Sequence, residues 1–347
     1  MMLMETTLLQ SVLLFVLCAV VVWFAGARLA YLADALADRF RLAKSLVGLL
    51  MLSLATSLPE VATTLSAAVQ QSRDLVLNNL FGGIALQTAI LAVSDIWARG
   101  AITNYPRRAN HALEATLLVL LLAMALIILQ MGEPIAFGHV GLGGVLIALT
   151  YGGTIWILRR YDDATDWVPV DLPDPDPLPF PAPSGLRVRD KRSLIAMSVA
   201  ASAAILIFGL GLVIFAERIA VQTGLGYGFV GVTLLAAATS LPELTTSLAA
   251  VRIGAYTMAI SNIFGSNLIM VVLVFPADLL FWKGPIMAET GPIIGLSLSM
   301  GIAVTAIYLS GLIVRRKPRV GPLGLDSVLV LGAFVLSLVL YYALRGA

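Results

Sequence analysis

Hydrophobic residues fall in long unbroken runs, separated by short clusters of charge, proline and glycine, and they do not alternate at the period of a strand. Each run is long enough to cross about 30 Å of hydrocarbon as a helix. Divided at the polar clusters, the pattern predicts ten helices near residues 7–27, 45–70, 74–98, 110–131, 138–158, 193–216, 228–251, 255–281, 287–314 and 324–344. Barrel strands would alternate, so the expected fold class is all-α, a polytopic bundle with ten transmembrane helices and the lipid bilayer as its main solvent. A content of 59% hydrophobic and 12% charged residues agrees.

A polar stretch from Tyr161 to Arg192 interrupts the pattern after five helices. It holds Asp174, Pro175, Asp176 and Pro177, then Pro179, Pro181 and Pro183, and it cannot build a core. Its aspartates lack the order of a folded calcium loop, so a plain linker is expected. The resulting plan is a first repeat over 1–160, a cytoplasmic proline-rich linker over 161–192 and a second repeat over 193–347. Placing both termini outside puts eighteen of the 22 Lys and Arg residues in inside loops. Retention of basic residues in the cytoplasm produces such a bias, so the termini are expected outside and the central loop inside a plasma (inner) membrane. No basic region or cleavage site precedes the first run, which reads as a retained span. Cys18 is the single cysteine, so neither a disulfide nor a thiolate metal site is available.

Residues 55–82 and 238–265 align without a gap at an offset of 183, with twelve identities. Both copies contain Ala-Thr-Ser-Leu-Pro-Glu, at Ala55 to Glu60 and Ala238 to Glu243. Five helices is an odd number, so the second copy enters the membrane in the opposite sense and the repeats are inverted. Pro59 and Pro242 have no N–H for the carbonyls of Ala55 and Ala238 and predict a break in each helix. Hydroxyls of Thr56, Ser57, Thr239 and Ser240 flank the breaks, and hydroxyls with carbonyls are hard neutral ligands suited to sodium or calcium.

Glu60 and Glu243 lie half way along otherwise uncharged spans. An ionised carboxylate there costs about 3 kcal/mol or more unless it is paired, hydrated or holding a cation. Its occurrence twice at matched positions makes a pair of structural, protonated glutamates a poor account. Asn79, Asn262, Ser266 and Asn267 on the following helices offer further oxygens, although Asn79 and Asn262 fit helix packing equally well. His111, Glu114, Glu217 and Arg218 fall near predicted interfaces and read as solvated groups, while Asp95 either lines an exit path or caps its helix.

The paired Ala-Thr-Ser-Leu-Pro-Glu motifs, each followed by Asn-x-Phe-Gly, resemble the sodium/calcium exchanger branch of the calcium/cation antiporter superfamily. The resemblance spans both repeats and implies alternating access around midplane sites between helices two, three, seven and eight. It implies cation ligands at Glu60, Glu243, Thr56, Ser57, Thr239, Ser240 and Ser266, with carbonyl ligands at Ser53 and Ala236. The chain departs from the family's pattern at three positions. Gly83 stands where a hydroxyl is usual, Gln87 lengthens an amide ligand, and Met270 places a thioether where Asn or Asp is usual.

The implied function is a secondary cation antiporter, moving calcium or a related cation in exchange for sodium or protons, and not an enzyme. The alternative is a structural membrane subunit or an inactive exchanger paralogue with no transport of its own. Partners are the transported cations (Ca2+, Na+ or H+) and the bilayer. No cofactor, nucleotide or nucleic acid is implied, because no phosphate-binding loop is present, and the plan is compatible with a monomer.

Overall fold

A computed structural model describes residues 7–98, 100–106, 108–162, 184–187, 189–223, 236–288, 290–314 and 318–344. The first half begins with α1 (Leu8–Phe40), whose start is fixed by a reciprocal cap: Thr7 accepts from Gln10 N, and the Gln10 side chain accepts from Thr7 N. Helix α2 (Lys44–Thr56) contains a π-helical segment, Val47–Leu52, and bends by 50° into α3 (Leu58–Val69). Then come α4 (Arg73–Ser94), closed by a tight turn at Asp95–Trp97, and α5 (Asn110–Met131). A two-stranded hairpin, β1 (Ala136–Phe137) with β2 (Val140–Gly141), leads into α6 (Leu142–Asp162).

The second half repeats the order. It has α7 (Lys191–Gln222), α8 (Leu241–Arg252), α9 (Tyr256–Val272) continuing after a break into α10 (Val274–Leu280), and α11 (Pro292–Ile313). The hairpin of β3 (Arg319–Val320) and β4 (Leu323–Gly324) precedes α12 (Leu325–Leu344). Among the described residues eight helices are long and apolar enough to span a membrane, or nine with the bent pair α2–α3. The tenth expected span, near 228–251, begins in residues 224–235, outside the described set, and its described part is a helical turn at 236–239 followed by α8. Most of the linker, including Asp174 to Pro183, also lies outside that set.

Two helices run well past their expected ends. Residues 28–40 were expected in a loop, yet they keep small apolar residues at helical spacing, with Leu29, Ala33, Leu36 and Ala37 buried, so α1 continues as an amphipathic helix. There Asp34 is buried and paired with Lys44. Likewise α7 continues to Gln222, leaving Glu217 and Arg218 half-buried inside it.

Burial ranks the helices by role. The most apolar stretches of α4 and of α9–α10 are 67% and 72% buried, against 17% for α1, so α4 and α9 form the centre and α1 faces outward. Helices α1 and α7 pack on one another, and each also rests on the broken helix of the opposite half, α1 on α8 and α7 on α3.

The two halves are tied together by a pair of matched carboxylates. Asp95 Oδ1 accepts from Ile102 N at 2.7 Å, and its Oδ2 accepts from Gly324 N, in the hairpin of the other half, at 2.6 Å. Asp278 Oδ1 accepts from Ile286 N at 2.7 Å, and its Oδ2 accepts from Gly141 N, again across the halves, at 2.7 Å. Asp95 and Asp278 differ by the same offset of 183, as do Gly141 and Gly324. The inverted repeat therefore builds one clamp at each end of the bundle. Asp95 was expected to line an exit path or cap its own helix; both N–H groups its carboxylate accepts from lie outside α4, so its side chain is instead a tie between repeats.

Each clamp has a second carboxylate: Asp326 accepts from Thr103 Oγ1 at 2.7 Å, and Glu133 accepts from Gly143 N at 2.9 Å. Burial, then the nearby Asp278 charge, pushes the Glu133 carboxyl above its ordinary range, against the pull of backbone N–H groups.

Two outcomes are expected of thermal unfolding in detergent. Asp95→Asn and Asp278→Asn should each lose about 1–3 kcal/mol, because an amide accepts only one of the two backbone bonds well, and the losses should add because the clamps share no residue. A raised folded pKa at Glu133 stabilises the protonated form. Its contribution is full below the unfolded pKa and is lost as pH rises through the folded one, so Glu133→Gln should flatten the fall in melting temperature that begins as pH rises past about 4.5.

Candidate cation site

The broken helices position the site. Ser57 (φ −82, ψ 2) and Ser240 (φ −85, ψ 3) adopt the same non-helical hinge, each one residue before a Leu-Pro pair that opens the next helix. A residue before proline avoids the helical region, and proline itself suits a first turn, so Leu-Pro marks a restart. Glu60 and Glu243 fall in the first turns of α3 and α8, at the positive ends of those helix dipoles.

Both glutamates are fully enclosed, at 1% and 0% exposure. Glu243 Oε1 accepts from Ser57 Oγ and from Ser266 Oγ, each at 3.4 Å, and Thr56 Oγ1 stands 3.5 Å from Ser266 Oγ. One group therefore comes from α2, one from the hinge, one from α8 and one from α9. Neither oxygen of Glu60 has a hydrogen-bond partner, nor has Glu243 Oε2, and the two carboxylates lie close enough to repel each other. Gln87 Oε1 and Asn267 Oδ1 are likewise buried without a partner.

Unpaired buried oxygens of this kind are costly and are rare in folded proteins, yet six are gathered on these elements, Asn262 Oδ1 being the sixth. Among the described residues no three His, Cys, Asp or Glu side chains assemble as a metal cluster. The remaining oxygens are neutral hydroxyls, amides and carbonyls, the ligand class of hard cations.

Other expected ligands are placed as follows. Ser53, Thr239 and Ser240 are buried and Ala236 is half-buried. The carbonyls of Ser53 and Ala236 each accept from a backbone N–H (Ser57 N at 2.9 Å, Ser240 N at 3.0 Å) and from a threonine hydroxyl (Thr56 at 3.2 Å, Thr239 at 3.1 Å). A cation at either carbonyl would take the place of the hydroxyl proton. Asn79 and Asn262 use their amide nitrogens as ties between consecutive helices: Asn79 donates to Thr64 Oγ1 at 2.8 Å and Asn262 to Thr246 Oγ1 at 3.1 Å. Of the two roles left open for them, the amide nitrogens serve packing, while Asn262 Oδ1 is buried without a partner. Thr88, which receives a bond from Asn267 at 3.3 Å, was missed, and its sequence carries no signal, since its partner in the second repeat is Val271.

The sodium/calcium exchanger protein family matches the chain over residues 10–158 and 193–343. The chain belongs to the sodium/calcium exchanger family. It is 28% identical to the inner membrane protein YrbG of Escherichia coli (strain K12), over 96% of this chain and 97% of that protein. A solved structure of the sodium-calcium exchanger NCX_Mj superposes with a TM-score of 0.71 at 17% identity, covering 96% of this chain and 99% of that one.

Within this exchanger fold the departures from the family pattern meet in space. A Cβ on Gly83 would find only the Cε methyl of Met270, at 4.0 Å, so the thioether of one repeat faces the bare backbone of the other. On the matched side, Ser266 supplies a hydroxyl to Glu243. The neighbourhoods of the two glutamates are thus unequal although their backbones are alike.

Two further glycines, again 183 apart, hold the outer helices against the breaks. A Cβ on Gly26 of α1 would lie 2.0 Å from Thr245 Oγ1 and one on Gly209 of α7 would lie 2.5 Å from Pro59 Cγ. Gly26→Ala and Gly209→Ala should therefore each lower the melting temperature, by about 1–3 kcal/mol of overpacking. Gly83→Ala, with open space around it, should leave the melting temperature within the scatter of repeat scans.

Proposed function

We propose that the protein is a secondary active cation antiporter, exchanging calcium or a related cation for sodium or protons by alternating access at Glu60 and Glu243. The observation that carries this reading is the pair of enclosed, symmetry-matched carboxylates with unpartnered oxygens, among Ser57, Ser266, Thr56 and Gln87. Among the described residues no ion pair reaches Glu60 or Glu243, and the basic residues of α2, α4 and α8, which are Lys44, Arg73 and Arg252, stand at helix ends. A bound cation or proton supplies the missing charge. Two carboxylates balance one divalent ion or two monovalent ones, and a third monovalent ion would leave positive charge uncompensated in low dielectric. Met270 and Gly83 support the same limit, since neither offers a hard oxygen side chain.

Inverted repeats with a central site support two alternating access states around a fixed site. The basic residues support an orientation with both termini outside and residues 161–192 in the cytoplasm, and the match to an inner membrane protein supports that membrane as the location.

Flux of calcium-45 into proteoliposomes under imposed sodium or proton gradients tests the reading. At least one gradient should drive uptake, and Glu60→Gln or Glu243→Gln should reduce it at least about tenfold, corresponding to roughly 1.4 kcal/mol of lost cation binding. Absence of gradient-driven uptake of any tested cation, or full activity in both variants, contradicts the proposal.

A further inference from the structure

Three buried side chains form a knot away from the cation site. His111 and Glu114, one turn apart on α5, were expected at an interface with water, but they are only 1% and 2% exposed, and Ser261 on α9 is fully enclosed. The correction follows from packing, because α9 and α11 cover the first turns of α5. His111 Nδ1 lies 3.0 Å from Glu114 Oε2. Ser261 Oγ lies 2.8 Å and 2.9 Å from the two Glu114 oxygens and 3.1 Å from His111 Nδ1. The knot borders a small recess lined by Ser45, Leu46, Leu49, Asn110, Glu114 and Leu158. This recess meets α2 at its π-helical segment, a distortion frequent at functional sites, where the Leu49 carbonyl accepts from Ser53 Oγ at 2.5 Å.

The inverted repeat gives the knot its meaning. At the offset of 183, His111, Glu114 and Ser261 correspond to Ile294, Ser297 and Asn78. Ser297 accepts from Tyr341 at 2.8 Å and Asn78 is exposed, so the matching place at the opposite face holds no acid or imidazole. A titratable device present in one repeat alone acts on one face of the membrane alone.

Few other charges face it. Helices α9 and α11, packed on α5, contain no Asp, Glu, Lys, Arg or His. Helix α6 brings Arg159 and Arg160, both exposed, and α2 brings Lys44, which pairs with Asp34. Arg108 precedes α5 in the chain. Glu114 and His111 are therefore each other's immediate ionisable partners.

We propose that the His111–Glu114–Ser261 knot is a proton-binding site that tunes transport from one side of the membrane only, the side at which α2 and α5 begin. The inference rests on the transport reading above. A proton arriving through the recess and held on His111 Nδ1 is donated to Glu114, while Ser261 also donates to that carboxylate. When it is the Nδ1 proton that leaves to water, the imidazole presents a lone pair there and Ser261 can turn to donate to Nδ1 in place of Glu114. Ser261 lies five residues before Ser266 on the same helix, so the change in its bond reaches a helix of the cation site.

The test is calcium-45 uptake by native membrane vesicles of both orientations, measured in acidic and alkaline buffer. The half-saturating calcium concentration of the wild-type protein should shift with pH at least about threefold more on the knot's face than on the other. In His111→Gln and Glu114→Gln the two faces should become alike. Equal profiles in the wild type, or a difference that survives in both variants, overturns the proposal while leaving antiport intact. If the wild type transports nothing, antiport itself fails, and infrared difference spectra between the two buffers still read the knot. A protonation band lost in both variants supports it, and no such band overturns it.

Discussion

A carboxylate cannot stand ionised and alone in the middle of a bilayer, and this chain encloses two. Much of the surrounding architecture follows from that constraint. Proline breaks put each glutamate at the start of a new helix, where the dipole offsets part of the cost, and Glu243 is reached by one hydroxyl of the facing repeat, Ser57, and one of its own, Ser266. What the protein does not supply is a permanent countercharge. The remainder has to come from a cation or a proton, and a site that must always be filled by one or the other is the physical basis of exchange.

The same constraint explains the rigidity around the site. Helix α4 and the pair α9–α10 are the most enclosed in the bundle, and Asp95, just after α4, and Asp278, within α10, each bind the hairpin of the opposite repeat. Each clamp joins parts distant in sequence through two backbone N–H groups, satisfying donors that would otherwise be buried and unpaired. The outer pair, α1 and α7, comes close to the broken helices at Gly26 and Gly209 and packs beside the second break through Val22, Leu212 and Ala216 against Ala238. The fold thus separates a stapled centre from two outer helices packed on it.

Most of the fold was legible because lipid demands unbroken apolar helices, and the repeat was legible because twelve identities survive in 28 aligned positions. Glu60, Glu243, Ser57, Ser266 and Thr56 could be named from the motif, and the structure gathers them. Helix ends were less legible: residues 28–40 look like a charged loop until one sees that their polar and small residues keep a helical period. Asp278 was overlooked although Asp95 was noticed, and the offset of 183 would have linked the two. His111 and Glu114 were misplaced for a different reason. Burial by α9 and α11 is a tertiary fact with no local signature, and only the direct contacts of Ser261 reveal it.

Two carboxylates, with no third among the described residues of the candidate site, set the charge proposed for it, and that is the account's central claim. The direct measurement is calcium flux in proteoliposomes clamped at different membrane potentials with potassium and valinomycin. Electroneutral exchange predicts an initial rate independent of the imposed potential. A rate that rises or falls steeply with potential would mean that net charge crosses the membrane in each cycle, and the two-carboxylate cage would not describe the site.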